Sequence, residues 1–282
     1  MSDMNVTDIL AENAHIVQSA KQRNRILQDG ILSETARLLP SDATLSDIVQ
    51  RYISVMGDDI CTPAFARYCD FVWKNGGTLT FDDLLPESVR VVPELSEAKV
   101  AYQKNPYSDR AFSMLTGHLF NADAVCLPTT VSVCEEIYYG RCTHCILPIY
   151  STSDGILTAF TKLIAKYDLV INAACDVSAP DGDSVMRFAL LRHELTMPTA
   201  DPCYVQFNAV LPPSVSLAKL LTACESVGAS VAEMITQPLA YTAANISYTI
   251  RLRTSSECLG TLLMLLRCIL GDYSLEGIFN II

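Results

Sequence analysis

Positive charge is in short supply in this sequence: Lys and Arg total 20 against 31 Asp and Glu, a net charge of −11 at pH 7. Phosphate backbones are bound by clustered cations, so nucleic acid is excluded as a main partner. The acidic surplus reads as solubility. Long apolar runs are missing too. The longest, residues 262–266, falls far short of the roughly 20 residues that cross a bilayer. The first ten residues hold no cationic stretch leading into an apolar one, as a secretory signal would. The expectation is a soluble, cytoplasmic chain with no membrane partner. No Gly-rich phosphate loop and no Gly-x-Ser-x-Gly elbow occurs, and no cofactor is expected. The 11 cysteines form no regular framework and sit in apolar segments such as 124–127 and 265–270. They read as reduced, buried small hydrophobes.

What is present suits packed cores. Half of the 282 residues are hydrophobic and 18% are charged, which argues for globular structure in two or three small domains. In residues 1–90, Ile9, Ile16, Ala20, Leu27, Ile31 and Leu38 recur at helical spacing and predict one long amphipathic helix. Thr44 is the expected N-cap of a second helix whose apolar face ends at Gly57. Thr62 and Pro63 start a third, which Asn75-Gly76-Gly77 stops. Residues 78–96, with two prolines and no sustained period, read as a linker.

Beyond the linker, β-prone runs at 99–102, 124–127, 145–149, 169–173 and 186–191 alternate with helical stretches from Ser108, over 130–139 and over 153–167. This alternation predicts an α/β lobe with a largely parallel sheet. From Cys203 the order becomes strand 203–210, helix 214–227, strands 230–235 and 245–253, helix 257–270 and strand 273–280. That is βαββαβ, the ferredoxin-like arrangement, which specifies fold and not function. Cys142-Thr-His-Cys145 has the spacing of a metal knuckle. No second Cys/His pair lies at finger-like distance, so no metal is expected. His15, His118, His144 and His193 lie in separate segments, and none is assigned catalysis.

Several motifs together resemble the prephenate dehydratase family. The run Lys99-Val-Ala-Tyr-Gln-Lys-Asn-Pro-Tyr-Ser108 is similar to its opening strand and Gly-Pro-x-Gly-x-x-Ser loop. Leu147-Pro-Ile-Tyr-Ser-Thr-Ser-Asp-Gly155 is similar to its Pro-Ile-Glu-Asn-Ser/Thr-x-x-Gly turn, and Met186-Arg187-Phe188 to its Thr-Arg-Phe strand. The βαββαβ segment falls where the family carries a phenylalanine-binding ACT domain, and the helical N-terminus where bifunctional members carry a chorismate mutase. The implied architecture is α+β and multidomain: a helical, chorismate-mutase-like domain over 1–90, a single α/β lobe of the periplasmic-binding-protein type over 97–195, and an ACT-like domain over 200–282.

The resemblance implies a role in phenylalanine biosynthesis and a prephenate-like or amino-acid ligand. Ser108, Thr152, Ser153 and Gly155 match substrate-binding positions, and an ACT-mediated homodimer is implied. Departures from the pattern argue for impaired catalysis. Only residues 178–185 separate the fourth strand from Met186, where the family inserts its second lobe. Met186 stands where the family has its hydroxyl donor, and a thioether donates no hydrogen bond. The catalytic residue is therefore unassigned, with Arg187 and Phe188 beside it. Ser153 reads as a helix N-cap. The regulatory Gly-Ala-Leu and Glu-Ser-Arg-Pro motifs are represented by Val215-Ser216-Leu217 and Ile235-Thr236-Gln237-Pro238, which lack the charged pair. For a mutase, Arg51 matches one cation, while Lys21, Arg23, Arg25 and Arg37 read as a solvated face. The expected function is a non-catalytic or regulatory dehydratase relative. The alternatives are an active carbon–oxygen lyase or mutase with altered chemistry, and an ACT-type binding module.

Overall fold

Capping residues account for the first helices. A computed structural model describes residues 6–75, 79–117, 121–179, 184–238 and 246–282. Helix α1 (Val6–Arg37) leads into α2 (Leu45–Met56), where Thr44 and Asp47 form a reciprocal capping box and Gly57, at φ 96°, ends the helix. Helix α3 (Pro63–Asn75) opens on its proline, with the Thr62 hydroxyl accepting from the Phe65 amide at 3.1 Å. The proposed stop at Gly76-Gly77 lies outside the described residues. Inside the expected linker a short helix, α4 (Phe81–Leu84), repeats the capping box with Thr80 and Asp83.

The α1 stripe is a correction. Ile16, Leu27, Ile31 and Leu38 are 58%, 67%, 48% and 59% exposed, whereas Leu32, Thr35 and Ala36 are the buried positions. The side chain of Ile9 lies outside the described residues. Periodicity identified the helix, but among the described side chains the buried positions fall in its C-terminal third, on the neighbouring face.

The α/β half follows as β1 (Ala98–Gln103), α5 (Pro106–Thr116), β2 (Ala122–Leu127), α6 (Thr130–Tyr138), β3 (His144–Ser151), β4 (Gly155–Ile156), α7 (Thr158–Lys166), β5 (Val170–Ser178) and β6 (Val185–Arg192). The C-terminal half is β7 (Cys203–Val210), α8 (Leu217–Ser226), β8 (Ser230–Pro238), β9 (Ile246–Thr254), α9 (Ser256–Leu270) and β10 (Ser274–Ile281). Among the described residues all ten strands join one mixed sheet, in the order β2-β1-β3-β6-β5-β10-β7-β9-β8, with β4 on β3. The expectation of a largely parallel lobe is corrected: only β2-β1-β3 run parallel, and β6 is antiparallel to both β3 and β5. The physical reason is that β5 turns straight back into β6, and so short a connection joins only antiparallel strands.

The two halves are fused. β5 pairs in parallel with β10, so the sheet passes from one half into the other without an edge. Helices α2, α3, α4, α8 and α9 and the inner face of β7, β9 and β10 share one apolar core with the end of α1. Gly260 on α9 leaves room for the indole of Trp73, which stands 2.1 Å from where a Cβ would lie.

The sheet also curls. From β6 to β8 is five strand steps, roughly 24 Å in a flat sheet. Yet the Arg187 guanidinium on β6 lies 3.1 Å from the Glu233 carboxylate on β8. The concave face is therefore a closed interior, which places a charged cluster inside the fold.

Candidate functional site

The opening of α5 builds one wall of a cavity of about 200 Å³. Asn105 is the N-cap, with its side-chain oxygen accepting from the Tyr107 and Ser108 amides, and Pro106 occupies the first helical position. The Asn105 amide donates to Ser108 Oγ at 2.9 Å, so the buried Ser108 is held by the cap. Thr130, Phe160, Met186 and Phe188 complete the site with Asn105 and Ser108. Gln103, also in the lining, donates to the Pro128 carbonyl at 3.0 Å. The lining contains no Lys, Arg or His.

Strand alternation explains why Arg187 is absent. Met186 and Phe188 point to the α5 side of β6, and Arg187 points to the other. There its guanidinium donates to Asp176 at 2.7 and 2.9 Å and to Glu233 at 3.1 Å, and stands over the Tyr150 ring at 5.2 Å. The chain of contacts continues inward. Arg251, fully buried, donates to Glu233 and to Gln206, and Gln206 donates to the Glu276 carboxylate at 2.6 Å. Burial pushes the Glu276 carboxyl up from its ordinary range and the Arg251 guanidinium down. The Met-Arg-Phe trio is thus split between an apolar cavity and an internal ion cluster.

Thr152 and Ser153 lie in the turn between β3 and β4 and Gly155 opens β4, all outside the cavity lining. Thr152 is tied to Val185 by two hydrogen bonds, at 3.0 and 3.1 Å. Ser153 is not a helix cap, because α7 begins at Thr158. It donates instead to Asp154 at 2.8 Å within a network that also holds Ser151. Gly155 takes φ 68° to make this turn. At the other end of the molecule Ser216 caps α8, accepting from the Lys219 amide at 3.3 Å, with Leu217 as the first helical residue. Gln237 and Pro238 end β8. Because α8 runs antiparallel to β8, these positions fall at one end of the sheet. The cations Arg25 and Arg37 pair with Asp29 and Glu34 along α1, at 3.9 and 3.7 Å.

Cys142, His144 and Cys145 are buried where the chain enters β3, and the described residues include no group of three or more His, Cys, Asp or Glu arranged to hold a metal ion. His118 lies outside the described residues. His144 is 3% exposed, and burial, with a push from Arg192, lowers its pKa to about 4. Between pH 6.5 and 4 the unfolded chain binds a proton that the folded chain refuses. Stability therefore rises with pH through this window and is lost as pH falls. The gap corresponds to about 3 kcal/mol. In urea unfolding at pH 7 and pH 4, the native chain should lose about 3 kcal/mol more than His144→Gln; equal losses would mean that folded His144 accepts the proton.

Sequence reasoning missed Asn105 and Thr130 as wall residues, although Asn105-Pro106 is a legible helix start. It also missed the ion cluster. Glu233 and Arg251 stand among apolar neighbours in β-prone runs, and that was the available signal.

No family model matches the chain, and no curated protein matches its sequence. Solved structures do match at the level of fold: about two thirds of the chain shares a mixed α/β fold with prephenate dehydratases. The prephenate dehydratase of Streptococcus mutans superposes with a TM-score of 0.53 at 16% identity, covering 65% of this chain and 98% of its own. That of Arthrobacter aurescens, solved in complex with L-Phe, does so with 0.50 at 13%, covering 64% and 90%. GqqA, described as a novel type of quorum quenching acylase, gives 0.51 at 15%, covering 64% and 94%. At such identities the likeness concerns the fold, which hosts more than one chemistry. Among the described residues no helix is long and apolar enough to cross a membrane.

Proposed function

We propose that this chain is a prephenate dehydratase-like protein of aromatic amino acid metabolism that no longer turns prephenate over and acts by binding or regulation. The observation that carries this reading is the cavity beside Met186, whose lining offers no cation, while Arg187 is held on the opposite face by Asp176 and Glu233. Prephenate is a dianion, and burying a carboxylate without a charged or hydrogen-bonding partner is strongly unfavourable. Size supports the same reading. About 200 Å³ is below the roughly 300–1,000 Å³ of pockets that bury a small ligand. Residues 179–184, between β5 and β6, leave no length for a second lobe over this wall.

Incubating purified protein with prephenate and following phenylpyruvate is the test. No product above the buffer rate is expected, also for Met186→Thr, because a restored hydroxyl leaves Arg187 where it is. Turnover of about one per second or faster would overturn the proposal.

A second reading, a mutase activity in the first ninety residues, is favoured by Arg51, whose Nε is buried without a partner among the described residues. Chorismate turnover that disappears in Arg51→Ala would establish it, and none in the native chain would remove it. For the C-terminal half we propose an ACT-like unit; the L-Phe complex of the Arthrobacter aurescens structure is the motive for a small-molecule ligand. Its homodimer would use the sheet and not the helices, since α3 already packs on α8 and α9. A monomer in analytical ultracentrifugation would rule that out.

A further inference from the structure

Helix α5 separates two cavities on one face of β6. Met186 and Phe188 line the smaller, and Leu190, next along that face, lines a second cavity of about 670 Å³. This volume lies inside the range of small-molecule pockets. Leu115, Ala173, Leu190, Met197 and Ile282 give it an apolar body. Its walls are two connecting segments, 91–94 and 196–200, and they are tied down. The Val92 amide donates to the Leu195 carbonyl at 2.9 Å, and the Leu195 amide donates to the Arg90 carbonyl at 2.8 Å. Asn172 holds the second wall: its oxygen accepts from the Thr196 amide at 2.5 Å, and its nitrogen donates to the Val170 and Glu194 carbonyls, both at 3.1 Å.

Two buried or half-buried side chains of this cavity offer it acceptors, while the Thr196 and Thr199 hydroxyls, also in the lining, can donate or accept. The Thr143 hydroxyl accepts from the Lys99 amide at 3.0 Å and donates to the Lys99 carbonyl at 3.1 Å. With its proton on that carbonyl, the hydroxyl meets His144 Nδ1, 3.0 Å away, as an acceptor, and in this tautomer the ring proton sits on Nδ1. The other nitrogen, Nε2, is left as a bare lone pair with no partner among the described residues, on a side chain that is 3% exposed and lines the cavity. Asn280 repeats the pattern. Both protons of its nitrogen go to the Ala200 and Pro202 carbonyls, at 2.6 and 2.8 Å, which leaves its oxygen free. Glu94 adds an exposed carboxylate at the rim, and no Lys or Arg lines the cavity. The neighbouring cation, Arg192, is paired with Glu194 at 3.1 Å.

An unpaired buried acceptor is unfavourable until a donor reaches it. An anion meets no Lys or Arg in the lining, and an ammonium would give up its hydration beside a neutral imidazole and near Arg192. We propose that this cavity is a binding site for an uncharged, largely apolar ring compound carrying an N–H or O–H donor, with His144 Nε2 as its acceptor. The inference is independent of the dehydratase reading, since it concerns the other end of α5.

Calorimetric titration of the full chain with indole, 1-methylindole and indole-3-acetate tests it. Indole should bind, 1-methylindole about three- to tenfold more weakly for want of one hydrogen bond, and indole-3-acetate most weakly of all. His144→Phe should abolish the preference for indole over 1-methylindole. Ala173→Leu, which fills the cavity from β5, should remove binding of both, and it serves alone if His144→Phe fails to fold. Equal binding of indole and 1-methylindole by the native chain, tightest binding of indole-3-acetate, or no binding of any of the three at millimolar concentration would each overturn the proposal.

Discussion

Replacing Glu233 by glutamine should remove about 3–5 kcal/mol of folding stability, read as a lower urea midpoint at unchanged slope. Glu233 is the hinge of the internal ion cluster, since its two carboxylate oxygens serve Arg187 and Arg251 separately. The side chain of Arg251 is 0% exposed, so without Glu233 it becomes a buried cation whose nearest remaining partner is the neutral Gln206. An exposed ion pair would matter far less. Asp176, the other partner of Arg187, is 37% exposed, and Asp176→Asn should lose only about 1 kcal/mol or less. The double variant Glu233→Gln/Arg251→Met should recover most of the loss, because removing both charges also removes the desolvation penalty. Equal effects for Glu233→Gln and Asp176→Asn would show that the cluster is wetter than its geometry.

Gly277→Ala should destabilise the chain by about 3 kcal/mol, the upper part of the range for overpacked sites. Gly277 pairs with Ile171 on β5 and with Gln206 on β7, between register shifts in the two ladders. A Cβ there would lie 2.5 Å from the Ile171 carbonyl oxygen and 2.6 Å from its Cβ. Backbone cannot swing aside as a flexible side chain would, so relief requires β5 and β10 to separate. Thermal unfolding should shift down as a single transition. An unchanged midpoint would mean that the seam between the halves carries little of the stability.

How much of this was legible depends on the range of the interaction. Thr44, Pro63, Gly57 and the β-prone runs signal through neighbours a few residues away, and those elements stand where they were expected within a few residues. The α1 stripe shows the limit of periodicity, which reports that a helix has an apolar face and not whether anything covers it. Ser153 illustrates another: a serine before an apolar run resembles a cap, but the two-residue strand β4 intervenes. The split of Met186 from Arg187 follows from strand alternation and was legible in principle. The pairing of β5 with β10 joins residues about a hundred positions apart. The meeting of Arg187 with Glu233 joins residues 46 positions apart, and no local pattern encodes either. The free nitrogen of His144 is further from sequence still, since it depends on which atoms Thr143 and Lys99 share.

The parallel seam also dictates when the fold can be completed. Strand β5 receives its outer neighbour from β10, which a ribosome makes only after β6, β7, β8 and β9. Until then the α/β half carries an open edge whose amides and carbonyls have no strand to meet, and such edges invite pairing with other chains. Synthesis must therefore run well ahead of sheet closure, and slow emergence of the last strand would expose the nascent protein to aggregation.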